Sequence, residues 1–261
     1  MTDPAPEVRE SGHMTLWEHL AELRTRIVRC VIAVAIGAVA GWFIYPYLLT
    51  ILVHPYCQVA PNGDCSLIAT SPLDGLTLRI QMSAYTGIAI AMPVLLWQLW
   101  RFITPGLYPH EKKYALPFTF SALVLFFMGA AVAFFSLNPA LNFLINIGGS
   151  DIKPFYTGPS YLKLIMFMML VFGAGFEFPI ILVGMQIAGV VQPAWLAKHR
   201  RQALIIILVV VAVITPSGDP ISMLALAIPM YIFYELSILI GRYLNRRKRK
   251  KAEKTEKAGT S

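Results

Sequence analysis

Glu177 interrupts an otherwise apolar run, Phe172-Gly173-Ala174-Gly175-Phe176-Glu177-Phe178-Pro179. It stands 14 positions beyond Lys163, about 21 Å along a helix axis. An ionised carboxylate facing lipid at that depth costs several kcal/mol. It must therefore face a cavity lined by protein or water, or carry a proton. Pro179 removes a backbone donor beside it and permits a kink at the same depth. A functional acid and a structural hydrogen-bonding group both fit this pattern. Glu235 is less demanding, because Arg242 follows seven positions on, about 10 Å along a helix, which puts the carboxylate near the headgroups. Glu22 and Arg24 lie off the Leu20/Leu23 seam, where the plain reading is a solvated helix face. Glu111 stands among Arg101, Lys112 and Lys113. An exposed ion pair there is worth less than ~1 kcal/mol. Asp219, in Ser217-Gly218-Asp219, reads as part of a turn.

The elements that carry these residues are apolar helices. Of the 261 residues 57% are hydrophobic and 14% charged, and the mean hydropathy is +0.63. Soluble domains run about 45–50% apolar, so the excess requires an apolar solvent outside as well as a core inside. No charge falls in 114–150, 164–176 or 202–218, and Asp64 is the single one in 31–73. A bilayer core of ~30 Å asks for ~20 apolar residues. An amphipathic helix over 14–29 is expected to run into helix 1, about 27–49. Helix 2 follows at about 76–100, helix 3 at 114–137 and helix 4 at 160–188. Helix 5, at 202–215, is short: its 14 residues rise only about 21 Å. Helix 6 occupies 221–241. The loops fall at 53–74, 101–113, 138–159 and 190–201. Helices 5 and 6 alternatively form one re-entrant hairpin. Residues 1–13 are expected to be disordered, 14–241 to form a six-helix transmembrane domain, and 242–261 a basic cytoplasmic tail.

Net charge is +8, and nine of the 22 basic residues lie between Arg242 and Lys257. A basic run placed directly after an apolar segment points to anionic lipid headgroups and not to nucleic acid. Four basic residues lie in the N-terminal stretch to Arg29, three in 101–113 and three in 198–201, whereas the opposite loops hold only Lys153, with Arg79 and Lys163 just inside helix ends. That asymmetry places both termini in the cytoplasm. Five acids in the first 26 residues argue against a signal peptide, so the first apolar segment is expected to be a retained anchor. Cys57 and Cys65 share an outside loop, where they form either a disulfide or two unpaired thiols; Cys30 reads as a small apolar group. The five histidines are scattered, and glycine-rich phosphate loops and zinc-type clusters are missing. Neither an enzyme nor a bound metal or cofactor is expected.

His19-Leu20-Ala21-Glu22-Leu23-Arg24-x-Arg26 resembles the opening motif of the TatC family, the signal-receptor subunit of the twin-arginine protein translocase. The similarity continues in Ser71-Pro72, Arg101-Phe102-x-x-Pro105-Gly106-Leu107 with Glu111, Phe172-Gly173-x-x-Phe176-Glu177-x-Pro179, Thr215-Pro216-x-x-Asp219 and Tyr234-Glu235. The resemblance implies an all-α membrane protein of six helices, the last two short, that transports folded proteins with single-span TatA and TatB partners and self-associates in the receptor complex. It implies signal-peptide binding by Glu22, Arg24, Phe102 and Glu111, and a buried helix-4 acid at Glu177. A proton-coupled small-solute transporter, with Glu177 as the proton carrier, is the competing reading. That reading calls for internal repeats, and the sequence shows no convincing one.

Overall fold

A computed structural model describes residues 16–59, 67–103, 115–147 and 157–259. These residues form eight helices: α1 (Leu16–Val59), α2 (Asp74–Ile103), α3 (Ala115–Ile147), α4 (Gly158–Phe176), α5 (Phe178–Ile187), α6 (Pro193–Lys198), α7 (Arg200–Ile214) and α8 (Pro220–Gly259). The fold is all-α, with one isolated bridge between Ile68 and Thr157 among the described residues. In lipid every backbone group must find an internal partner, and helices satisfy that requirement segment by segment.

α1, α2, α3, the α4–α5 pair and α8 are each long and apolar enough to cross a membrane. α7 has 15 residues, about 22 Å, and supplies the sixth, short crossing. α8 follows it with an apolar part that ends near Gly241 and continues as helix through the basic tail to Gly259. Both faces of α1 are apolar: Leu52 and Tyr56 are buried, while Val31, Ile36, Val39 and Phe43 are largely exposed. A helix that packs on protein with one face and on hydrocarbon with the other needs no polar stripe.

Several boundaries differ from the sequence expectation. α1 runs on to Val59 through Pro46 and Pro55, and α3 runs on to Ile147 through Pro139, so the 53–74 and 138–159 segments are partly helical. Proline leaves the carbonyl four residues earlier without its donor. At Pro46 that carbonyl belongs to Trp42, and it accepts a hydrogen bond from Arg79 Nη2 at 3.1 Å. The guanidinium also lies over the Trp42 ring, 4.3 Å from its centroid. Near Pro55, Tyr161 Oη donates to the Leu52 carbonyl at 2.8 Å. At Pro46 a partner from α2 thus satisfies the stranded carbonyl, and the Tyr161 bond fastens α1 to α4. The expected single helix 4 is broken at Glu177 into α4 and α5, because Pro179 sits at the second position of the new helix and cannot donate back. The 190–201 segment contains α6.

α4 is central. Tyr161, Leu162, Ile165, Met168, Phe172 and Phe176 are almost fully buried, against α1, α2, α3 and α8. α1 and α2 pack antiparallel at Gly37 and Gly87, where a Cβ on Gly87 would lie 2.6 Å from the Ala38 nitrogen. Only glycine lets the two backbones approach so closely. α8 starts at a sharp turn in which Gly218 takes φ +60°. Asp219, 2% exposed, caps the helix, Oδ1 accepting from the Ser222 N–H at 2.7 Å and Oδ2 from the Ser217 hydroxyl.

Candidate functional site

The residues singled out in the sequence fall into two groups. At the basic end of the α1–α2 pair, Arg26 points into the protein, 7% exposed, and its Nη1 donates to the Gln98 carbonyl of α2 at 3.0 Å. Its Nη2 forms an ion pair with Glu22 Oε1, one turn earlier on the same face. Glu22 Oε2 is buried and has no hydrogen-bond partner among the described residues. Glu22 and Arg24 do not act as one exposed pair: successive helical positions turn by about 100°, so Glu22 is drawn towards α2 while Arg24 stays exposed. Phe102 lies in the last turn of α2, four residues past Gln98. Glu111 lies outside the described residues.

Glu177 sits between α4 and α5, 8% exposed, with φ −74° and ψ −20°. Its carbonyl accepts from Ile180 and Ile181 N–H, both at 3.1 Å, and so starts the bonding of α5. Its side-chain Oε1 is buried with no hydrogen-bond partner among the described residues. A carboxyl group so placed in an apolar shell is ready to accept or share a hydrogen bond with an added polar group.

Asp219 is occupied as a helix cap, and Glu235 pairs with Arg200 Nε at 2.9 Å, which joins the base of α7 to α8. Tyr231 Oη donates to the same carboxylate at 3.4 Å. Close by, Gln186 Nε2 donates to the Leu182 and Ser237 carbonyls at 3.3 and 3.2 Å, and Tyr234 Oη donates to the Leu196 carbonyl at 2.8 Å. These bonds tie α5, α6 and α7 to α8. Cys57 is disulfide-bonded and Cys30 is free; Cys65 lies outside the described residues.

Sequence reasoning gave no separate role to Arg26, Gln98, Arg79 or Gln186. Two of them left a signal. Arg26 stands four residues after Glu22, the spacing at which helical side chains meet, and Arg79 is a lone base near the start of an apolar helix.

Residues 18–229 match the family described as Sec-independent protein translocase protein (TatC). The chain belongs to the TatC family. It is 38% identical to the TatC protein of Frankia casuarinae over 92% of this chain and 68% of that one. It is 37% identical to that of Aquifex aeolicus over 90% and 98%. The crystal structure of a twin-arginine translocase receptor TatC superposes with a TM-score of 0.72, at 36% identity, over 87% of this chain and 99% of that one. A second, in the detergent DDM, gives 0.74. As a TatC protein the chain is a multi-pass membrane component of the Sec-independent protein translocase. The break at Glu177 and the α1–α2 link through Arg26 both fall within the matched residues.

Proposed function

We propose that this TatC protein recognises the twin-arginine signal peptides of folded cargo with Glu22, Arg24, Phe102 and Glu111, from the cytoplasmic face of the cell membrane, with both termini in the cytoplasm. It passes the cargo on with single-span TatA and TatB partners, one of whose helices meets Glu177, in a receptor complex containing more than one copy of the chain. The observation that carries this reading is Glu22, with Oε1 already held by Arg26 and Oε2 buried without a partner among the described residues. A buried carboxylate oxygen that lacks a donor is costly, and an arriving guanidinium relieves that cost with a charge-assisted bond. Arginine suits the task better than lysine because its planar fork can engage a carboxylate through two donors. The basic segments at 101–113, 198–201 and 242–257 support the orientation.

The test is the affinity of a twin-arginine peptide for the purified protein at one fixed ionic strength, with a twin-lysine peptide as control. Glu111→Gln is expected to weaken binding by about 1.5–3 kcal/mol, roughly tenfold or more. Glu22→Gln should weaken it less, since Arg26 already satisfies one oxygen. If Glu111→Gln and Glu22→Gln both discriminate arginine from lysine as well as the wild type does, these acids do not read the signal.

A further inference from the structure

A cavity of about 370 Å³ opens between α3, α5 and α8, away from the α1–α2 end and used by none of the steps above. Phe118 and Leu125 of α3, Ile180 and Val183 of α5, and Phe233 and Ile240 of α8 line it. The stretches Phe118–Leu125 and Phe233–Ile240 each cover seven residue steps, about 10 Å along an axis. Over that length the cavity is an elongated apolar slot, and its walls suit a single methylene chain.

What lies at the end of the slot identifies the rest of the occupant. At about 100° per residue, Arg247 falls within about 20° of Ile240 on the surface of α8, and Tyr243 flanks the same line. Helical side chains lean back towards the N-terminus of their helix, which brings the Arg247 guanidinium down over Tyr243, 4.8 Å from the ring centroid. The cation therefore stands about one turn beyond Ile240, the height at which a phosphate begins when its acyl chain fills the slot. Arg247 and Tyr243 are both exposed, and the basic tail that follows adds a field that favours a negatively charged headgroup.

We propose that the α3/α5/α8 slot is a binding site for one anionic phospholipid, with an acyl chain between Phe118, Ile180 and Phe233 and its phosphodiester against Arg247 and Tyr243. The site is independent of the peptide reading, since it shares no residue with it. It gives the basic tail a stoichiometric ligand in addition to diffuse attraction to the bilayer.

The full-length protein, purified in detergent and delipidated, is titrated with phosphatidylglycerol or with phosphatidylcholine of matched chains, and bound lipid is counted by native mass spectrometry. The wild type should show one site that prefers phosphatidylglycerol. Arg247→Gln lies on an exposed part of α8 and should lower that affinity about fivefold while erasing the preference. Ile240→Trp, which fills the slot, should reduce binding of both lipids. Equal affinity for the two lipids in the wild type, or a preference that survives Arg247→Gln, overturns the proposal. So does a photo-reactive group on Ile240→Cys that captures a second copy of the chain or another polypeptide instead of lipid.

Discussion

Replacing Gly87 with alanine should loosen the α1–α2 pair and release the link at its basic end. The two helices cross antiparallel with Gly37 against Gly87, and a Cβ at position 87 would lie 2.6 Å from the Ala38 nitrogen and 2.8 Å from both its Cα and the Val34 carbonyl oxygen. Ordinary contact begins near ~3.5 Å, so the axes must part by about 1 Å. Backbone atoms on both sides leave nothing that can rotate away. Such overpacking costs about 1–3 kcal/mol, here at the upper end, and alanine recovers up to about 1 kcal/mol by its better helix propensity. The expected net loss is about 2 kcal/mol. Arg26 and Gln98 each stand eleven residues from the crossing, about 16 Å away. Their hydrogen bond of 3.0 Å does not survive a 1 Å separation carried that far. Thermal unfolding in a single detergent should show Gly87→Ala clearly below the wild type, with weaker binding of a twin-arginine peptide in the same preparation. Gly75→Ala is the control, because a Cβ there meets nothing within 4 Å, and it should be neutral or slightly stabilising. If Gly87→Ala unfolds at the wild-type temperature, the close crossing does not constrain the pair and the reasoning is wrong.

Glu177→Gln keeps shape and hydrogen-bonding capacity and Glu177→Leu removes both, so export of a folded twin-arginine reporter should fall more for Leu than for Gln while peptide affinity stays near wild type; equal, undiminished export in both variants would leave the acid without a role. Asp219→Ala removes the buried cap of α8 and should lower stability by about 1–2 kcal/mol, read as a drop in unfolding temperature that Asp219→Asn largely restores.

The sequence by itself determined the membrane class, the spans and the grouping of basic residues, because each depends on composition counted along the chain against a bilayer of known thickness. The short α7 and the special place of Glu177 were legible for the same reason: a 15-residue helix and a carboxylate in an apolar run stand out in one dimension. The family motif around Glu22 was legible too, although its geometry was not. Tertiary structure alone decided that Glu22 turns inward to Arg26, since the pull comes from a carbonyl on α2 seventy-two residues away from Arg26. It decided how far the helices run. Pro46 reads as a breaker until Arg79 arrives from another helix to satisfy the Trp42 carbonyl, whereas Pro179 does end a helix and leaves Glu177 at the break. Local propensity scores a proline the same way in both places; the outcome depends on packing that no local pattern records.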